Sequence, residues 1–285
     1  MPTEKRARQR AARYEKQAEL QKRQKRRRSI RRGLSILLLM ALVLVIVLVL
    51  SNTSGKKPTA SGKTTTTKSV ATTTTPSTQP LTSAAVVPTC PAATESKRVV
   101  WFTKAPPHCV ASNSIWDATF NTSVGKYVVQ MDASKSYAAV NNFVFLARWN
   151  YFNGTFFHRV IPGFVIQGGD PAGTGTGGTH QFPGYSYTGN TPPAACKTAP
   201  KTAGCYVAGD LVMANSSGPS TNGSQFFVVL PGGQNTLNKE PNYTLFGKVI
   251  SGMTAVDKIG SYGSSSGAPS VKVYLLGVTV KQTNG

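Results

Sequence analysis

Short apolar runs, each ended by glycine or proline, fill the chain from residue 90 to residue 285. β-Branched and aromatic residues favour strands, whereas Gly and Pro interrupt them. This pattern predicts a mainly β domain, either a closed barrel or a sandwich. The predicted strands are residues 127–131, 164–168, 210–214, 225–230, 244–250 and 271–280.

Two segments have the periodicity of helices. Within residues 137–149, apolar side chains recur at i, i+3, i+4 and i+7 and form one apolar face. Residues 253–259 are a shorter candidate, with apolar Val256 and Ile259. The domain is therefore expected to combine many strands with two helices.

Residues 156–170 read FFHRVIPGFVIQGGD and place unusual side chains on an apolar, strand-like run. Within them lie a cation, Arg159, an aromatic ring, Phe164, and an amide, Gln167. The guanidinium and the amide can form hydrogen bonds to a peptide group, and the ring offers apolar surface beside them. Such a set can hold a peptide bond and distort it without breaking it.

A second run, residues 213–227, adds Ala214, Asn215, Gln225 and Phe227. Together the two runs resemble the cyclophilin family of peptidyl-prolyl isomerases. The resemblance covers most of residues 123–280. Its further matches are Asn141-Asn142-Phe143, the glycine-rich residues 173–178 and residues 246–249.

The resemblance implies a fold and an activity. The implied fold is mainly β, a closed eight-stranded antiparallel barrel capped by two α-helices. The implied activity is peptidyl-prolyl cis-trans isomerisation of proline-containing peptides, without a metal or a cofactor. The family's catalytic arginine falls on Arg159, and its proline-pocket aromatics fall on Phe164 and Phe227. The other substrate-binding residues are predicted to be Val165, Gln167, Ala214, Asn215, Gln225, Leu237 and Tyr243.

The chemistry of this assignment can be argued from the side chains. Rotation about an Xaa–Pro bond has a barrier of about 18–20 kcal/mol, because the nitrogen lone pair is shared with the carbonyl. Arg159 can lower it by donating hydrogen bonds toward the prolyl nitrogen, which localises that lone pair. No proton is abstracted, so His158 is predicted to have a structural hydrogen-bonding role. Two alternatives stay open: Arg159 only stacks on aromatic rings, or Phe164 and Phe227 are ordinary barrel core.

Three departures from the family pattern affect ligand binding. Val165 stands where many relatives have Met, and Tyr243 stands where the family has a pocket-rim His. The Trp that helps many members bind cyclosporin has no counterpart near Thr236. We therefore expect weak cyclosporin binding with catalysis retained.

The N-terminal part of the chain differs in composition from the rest. The formal net charge is +22, and residues 1–32 alone hold 14 Lys and Arg against 3 Glu. Residues 33–50 carry no charge and only one polar side chain, Ser35, and as a helix they would reach about 27 Å. These features predict a basic cytoplasmic tail and a single transmembrane helix that leaves the C-terminal part outside. A cleaved signal peptide is the alternative.

The basic tail and the following segment are assigned from composition. The tail is expected to bind anionic membrane lipids. Nucleic-acid binding by an unfolded basic arm is the weaker alternative, and no nucleic acid is expected as a partner. Residues 51–88 are rich in Thr, Ser, Pro and Lys and predict a disordered linker. This anchored, bacterial-like arrangement leaves residues 89–285 as the isomerase domain.

All four cysteines follow the proposed membrane span, which suits an oxidising exterior. Four cysteines allow three pairings, and proximity favours Cys90–Cys109 and Cys196–Cys205. A zinc site and free thiols are the alternatives. Residues 90–122 are expected to add a strand or a cover to the barrel, and residues 179–203 form a long insertion.

Two functions from different classes fit these observations. The first is a monomeric prolyl isomerase that assists the folding of unfolded or exported proteins outside the membrane. The second is a non-catalytic module that binds proline-containing peptides as a scaffold at the cell surface. Arg159 favours the first, because a binding module does not need to polarise the amide.

Overall fold

A computed structural model describes residues 85–176, 183–192, 194–198, 204–216 and 218–283. The predicted basic tail, the predicted membrane span and residues 51–84 of the predicted linker lie outside these ranges. Within them, no helix is both long enough and apolar enough to cross a membrane.

Eight antiparallel strands form one sheet, in the order β3-β4-β6-β5-β7-β2-β1-β8. Its register is set by side-chain alternation, as in β1, where every second residue is buried. The strands are β1 Ile115–Thr122, β2 Gly125–Asp132, β3 Arg159–Ile161, β4 Val165–Gly168, β5 Asp210–Met213, β6 Phe226–Val229, β7 Leu245–Ser251 and β8 Leu275–Gln282.

The sheet curls, but its two edge strands do not form a ladder with each other in the described part of the chain. The prediction of a barrel closed by paired strands is therefore wrong at this seam. Instead, the segments that precede β3 and β8 meet at an isolated bridge between Phe156 and Tyr274. Backbone hydrogen bonds flank this bridge, from Phe157 N to Val273 O at 3.1 Å and from Leu275 N to Thr155 O at 2.8 Å. β3 is only three residues long, so regular pairing ends before it reaches β8.

In the described part of the chain, three α-helices accompany the sheet: α1 Ala133–Arg148, the single turn α2 Gln234–Leu237, and α3 Met253–Ser261. Helices α1 and α3 confirm the two predicted helical segments. α1 begins four residues earlier than predicted, because the side chain of Asp132 accepts a hydrogen bond from Ser134 N at 3.0 Å and caps the helix. The backbone at Ser136 is not helical, and the predicted apolar periodicity begins only after this irregular residue.

The main hydrophobic core, here called the inner core, packs α1 and α3 against one face of the sheet. Aromatic rings dominate it, and the ring of Phe226 lies within 5.5–5.8 Å of the rings of Phe120, Phe143 and Phe152. Among its fully buried side chains are Phe102, Phe120, Tyr127, Met131, Phe143, Phe145, Leu146, Tyr151, Phe152, Phe157 and Phe226.

The segment before β2 supplies both features that were left open from the sequence. Residues 115–122 become β1, which lies between β2 and β8. Residues 85–110 cover α1, with Phe102 buried against Phe145 at 4.8 Å between ring centroids. Asn141 of α1 fixes this cover, because its Oδ1 accepts from the backbone N–H groups of Cys109 and Val110.

The four cysteines pair as predicted, Cys90 with Cys109 and Cys196 with Cys205. The zinc and free-thiol alternatives are therefore wrong for these residues. The first disulfide closes the cover over α1. The second closes the described end of the insertion, where residues Ala194–Lys197 form one turn of 3-10 helix.

Candidate active site

The β3–β4 hairpin positions the cation, the ring and the amide of the first motif. Arg159 lies directly opposite Gln167 in the antiparallel register. Phe164 lies in the connecting turn, where its N–H donates to Ile161 O at 3.0 Å and Gly163 has a φ of 69°. The hairpin therefore brings all three side chains to one side of the sheet edge.

A chain of hydrogen bonds runs from the guanidinium into the glycine-rich loop. Nη1 of Arg159 donates to Oε1 of Gln167 at 3.2 Å, and Nε2 of Gln167 donates to Oε1 of Gln225 at 3.1 Å. Nε2 of Gln225 then donates to the carbonyl of Gly175 at 2.9 Å. Because each amide both accepts and donates, the orientation of the two amides is fixed.

The guanidinium of Arg159 retains hydrogen-bonding capacity. Its Cζ lies 5.7 Å from the ring centroid of Phe164, which places it over an apolar face. Gln167 is its one hydrogen-bond acceptor within the ranges described above. The other N–H groups of Arg159 are available to a bound molecule.

Asp170 shapes the loop that ends this chain of hydrogen bonds. Its buried carboxylate accepts from the backbone N–H groups of Ala172, Thr174 and Gly175, at 2.9, 2.9 and 2.7 Å. No role was predicted for Asp170 from the sequence. Its position after two glycines and before a glycine-rich loop could have indicated this role, since a short carboxylate readily binds nearby backbone N–H groups.

Both ring nitrogens of His158 are shielded from solvent and form no close hydrogen bond among the described residues. Burial lowers the pKa of His158, the charge of Arg159 lowers it further, and Asp170 opposes both effects. The ring is therefore neutral at neutral pH and is packed beside the loop at Gly175. The side chain of Gln225 still acts on the ring as a hydrogen-bond partner that raises its pKa, so the predicted structural hydrogen-bonding role is weak rather than absent.

Six of the predicted binding residues share a second hydrophobic cluster, here called the outer cluster. On β6, Phe226 and Val228 belong to the inner core, whereas Phe227 and Val229 belong to the outer cluster. Side chains alternate between the faces of a strand, so the outer cluster lies on the opposite face of the sheet. Its predicted members are Phe164, Val165, Ala214, Phe227, Leu237 and Tyr243.

The outer cluster lies beside Arg159, and the apolar surface formed by its partly buried members is here called the slot. The ring of Phe227 meets the ring of Tyr243 edge-on, with 5.4 Å between centroids. Phe164 is half-buried and lies between this cluster and the guanidinium. Phe164 and Phe227 therefore belong to the outer cluster and not to the inner core.

Asn215 is beside the slot, but its side chain is already engaged. Nδ2 donates to the carbonyl of Asn242 at 3.0 Å, and Oδ1 accepts from Gly218 N at 3.1 Å. The neighbouring Ala214 donates its N–H to the carbonyl of Gln225 at 2.9 Å. The side chain of Asn215 thus connects the segment at Asn242 to the turn at Gly218.

Tyr206 also belongs to the outer cluster, although no feature of the sequence predicted that it would. It directly follows Cys205, at the end of the insertion and outside both motifs. Asp210, four residues later, is buried as well, and burial raises its pKa to about 6.

Among the described residues, an apolar surface thus lies beside an arginine with unpaired N–H groups, and these are the chemical groups needed to bind and polarise a peptide. A family model described as cyclophilin type peptidyl-prolyl cis-trans isomerase/CLD matches residues 118–280. The chain therefore belongs to the cyclophilin-type peptidyl-prolyl cis-trans isomerase family, and it is an enzyme of that class.

Curated relatives carry the same description. Peptidyl-prolyl cis-trans isomerase-like 1 of Aspergillus fumigatus is 38% identical over 150 residues, which are 53% of this chain and 85% of the relative. The protein of that name in Mus musculus is 41% identical over 145 residues, 51% of this chain and 80% of the relative. Both are eukaryotic, so they do not support the expected bacterial character.

A solved structure gives a further comparison. It is a cyclophilin-type peptidyl-prolyl cis-trans isomerase of Cryptosporidium parvum, crystallised in the presence of the dipeptide Ala-Pro. The sequence identity is 27% and the TM-score is 0.46, over 58% of this chain and 98% of that chain.

Proposed function

We propose that Arg159 is the catalytic residue and that it acts by stabilising the twisted Xaa–Pro amide. The observation that carries this proposal is the position of its guanidinium, held by Gln167 at the edge of the apolar slot with N–H groups to spare. Donation toward the prolyl nitrogen localises the lone pair and favours the half-rotated state over both planar states. A thousandfold acceleration requires about 4 kcal/mol of such differential stabilisation.

The outer cluster binds the proline ring in this proposal. Val165 and Phe227 supply a buried floor, and Phe164, Leu237 and Tyr243 supply the walls. Burial of three ring methylenes contributes about 2–3 kcal/mol, which is enough to hold the ring while the preceding carbonyl rotates.

Gln167, Ala214, Asn215 and Gln225 hold the substrate backbone on either side of the proline. The two glutamine amides are pre-oriented by their own hydrogen bonds, so less ordering is needed when a peptide binds. The reaction forms and breaks no covalent bond and transfers no electron. It therefore requires neither a metal nor a cofactor.

The decisive experiment compares Arg159→Ala with Arg148→Ala in a protease-coupled assay on a short Xaa-Pro peptide, using full-length protein in mild detergent. Arg148, the last residue of α1, is a matched control, because its guanidinium also lies over an aromatic ring, with Cζ 5.0 Å from the ring centroid of Trp116. We expect Arg159→Ala to reduce kcat/KM by a factor of about 100 or more, while Arg148→Ala keeps the wild-type rate per folded molecule. Equal rates for wild type and Arg159→Ala contradict the proposed role.

A second candidate function is a non-catalytic module that binds proline-containing peptides. The observation that favours it is the apolar slot itself, which would bind proline whether or not turnover occurs. Peptide binding by both wild type and Arg159→Ala, with turnover by neither, would establish this alternative.

The proposed location is the cell membrane, with a cytoplasmic basic tail at residues 1–32, a single span at residues 33–50, a linker at residues 51–88 and the isomerase domain at residues 89–285. Two disulfides in the domain support an oxidising exterior. The substrates would then be unfolded or exported proteins, which reach the same side of the membrane.

This arrangement can be tested in sealed membrane vesicles of known orientation. In vesicles whose outer surface corresponds to the cell exterior, added protease should release the domain and leave the tail protected. In inverted vesicles, added protease should digest the tail and leave the domain protected. The tail is proposed to bind anionic lipids, with about 1 kcal/mol for each basic residue near the surface. Binding of a peptide of residues 1–32 to anionic vesicles should therefore weaken as the salt concentration is raised, and the peptide should not bind vesicles of neutral lipid.

A further inference from the structure

Tyr206 is the largest buried member of the outer cluster that lies outside both motifs. Its side chain is fully buried, and it packs with Val165, Phe227 and Leu237 in the floor of the slot. It lies between Cys205, which is tied to Cys196, and β5. The insertion therefore ends on a side chain that forms part of the proposed binding site.

The hydroxyl of Tyr206 holds the rim residue Tyr243 by its backbone. The hydroxyl donates to the carbonyl of Tyr243 at 2.6 Å and accepts from the N–H of Tyr243 at 2.8 Å. One buried hydroxyl thus satisfies both backbone groups of Tyr243, whose ring meets Phe227 edge-on. Loss of this hydroxyl would leave both groups without these partners.

The backbone of Tyr206 is connected to the opposite wall of the slot. Its N–H donates to Oδ1 of Asn238 at 3.0 Å, and its carbonyl accepts from Nδ2 of Asn238 at 2.9 Å. Asn238 directly follows the wall residue Leu237 and is itself buried. Tyr206 therefore connects both walls, Leu237 and Tyr243, through four hydrogen bonds.

We propose that Tyr206 is a positioning residue that sets the shape of the proline slot by fixing Tyr243 and Leu237. Tyr243 lies between α2 and β7, and its neighbours Asn242 and Thr244 are held by Asn215 and Met213. The N–H and the carbonyl of Tyr243 itself are held by the Tyr206 hydroxyl. The proposal rests on the proposed function, because the slot is taken to bind the proline ring. A residue that shapes the slot without touching the rotating bond affects substrate binding more than turnover.

The test compares Tyr206→Phe with Tyr127→Phe in full-length protein. Tyr127→Phe is a matched control, because the Tyr127 hydroxyl is buried in the inner core and has no hydrogen-bond partner among the described residues. For Tyr206→Phe we expect KM for an Xaa-Pro peptide to rise roughly tenfold while kcat changes less than about twofold. Tyr127→Phe should leave both constants at the wild-type values.

A double-mutant cycle on KM distinguishes a positioning role for Tyr206 from a purely structural one, because a purely structural role predicts no coupling to Tyr243. Tyr243→Ala removes the rim ring, so adding Tyr206→Phe to it should raise KM little further. Asn238→Ser, which releases the backbone of Tyr206, should raise KM in the same direction as Tyr206→Phe. The proposal is overturned if Tyr206→Phe leaves KM unchanged, whether or not its melting temperature falls. It is also overturned if Tyr206→Phe lowers kcat by as large a factor as it raises KM, or if the effects of Tyr206→Phe and Tyr243→Ala on KM are additive.

The proposal and the catalytic assignment can fail separately. If wild type shows no turnover, the isomerase assignment fails, and the dissociation constant of a proline peptide replaces KM in the same comparison. A roughly tenfold weaker dissociation constant for Tyr206→Phe would still support its positioning role. An unchanged dissociation constant would overturn it.

Discussion

Arg159 and Gln167 face each other across the β3–β4 pair, and Nη1 of Arg159 donates to Oε1 of Gln167 over 3.2 Å. Gln167 in turn donates to Gln225, and Gln225 donates to Gly175, so two amides in series connect the guanidinium to the glycine-rich loop. The direction in which Arg159 points is therefore a property of the loop as well as of the hairpin.

Gln167→Leu tests this connection, because leucine has a similar size but neither accepts nor donates. We expect kcat/KM to fall by a factor of about 10–100, since both neighbouring side chains lose a fixed orientation. The control is Gln130→Leu, which removes an exposed amide on β2 whose Nε2 lies 3.4 Å from Asp117. Isomerase rates within twofold of wild type for Gln167→Leu would contradict this prediction.

Gly233 sets the position of the turn that carries Phe164. A Cβ at residue 233 would collide with the backbone of Phe164, whose carbonyl carbon and Cα would lie at 3.0 and 3.1 Å. Gly233→Ala should therefore displace Phe164 and raise KM several-fold, because the slot loses one wall. Gly277→Ala is the matched control on β8, since its Cβ would meet only Asn153 Oδ1 at 3.6 Å. Titration of a fluorescent proline peptide into each variant measures the difference, and equal affinities would refute the collision argument.

Asp210 should make the stability of the domain depend on pH. Burial raises its pKa to about 6, against the opposing hydrogen bond from Val207 N and the charge of Lys248. Its pKa in the unfolded chain is about 4, so the folded state binds the proton more tightly. Ionisation therefore destabilises the fold, and stability is lost as the pH rises from about 4 to about 6.

Urea denaturation of wild type and Asp210→Asn at pH 4 and pH 6.5 measures this effect. Relative to the variant, wild type should lose about 2–3 kcal/mol of unfolding free energy between these values. Asp132→Asn provides a contrast of opposite sign. The pKa of Asp132 is lowered, chiefly by its hydrogen bond with the Ser134 hydroxyl. Its stabilising contribution is therefore lost as the pH falls below about 4. Parallel curves for wild type and Asp210→Asn would exclude the buried-carboxyl explanation.

Cyclosporin is predicted to inhibit this enzyme weakly. Val165 fills less of the slot than the longer side chain of many relatives, and Thr236 is exposed where the binding tryptophan is expected. Thr236→Trp should lower the inhibitory concentration without changing the uninhibited rate, because it adds aromatic surface outside the slot. Thr198→Trp, an exposed position in the insertion, controls for a nonspecific effect of an added indole. Submicromolar inhibition of wild type would show that these departures do not matter.

The sequence predicted the strands that carry continuous apolar runs but missed two others. β1 follows a strict alternation of burial, yet the polar residues Asp117 and Asn121 at its half-buried positions weaken the apolar pattern of the sequence. β3 has only three residues and ends before Pro162, so no periodicity can be counted over it. The early start of α1 depends on a cap at Asp132, which lies before the apolar periodicity begins.

Most of the predicted site residues lie in two contiguous runs with unusual chemistry, which a local pattern can identify, whereas Leu237 and Tyr243 lie outside those runs. The structure brings Phe164, Val165, Phe227 and Tyr243 into one cluster. Tyr206 could not be predicted in this way, because its role arises from contacts with residues 32 and 37 positions away. A contact of that range depends on the completed fold, and no local pattern encodes it.

Strand β6 has a consequence for how this enzyme can change. Its even-numbered side chains belong to the inner core, and its odd-numbered side chains belong to the outer cluster, which is proposed to bind the substrate. Substitutions at Phe227 and Val229 can therefore alter which peptides are accepted while the scaffold beneath stays intact. A library of variants restricted to these two positions should yield mostly folded proteins with divergent preferences, whereas one restricted to Phe226 and Val228 should yield mostly insoluble chains.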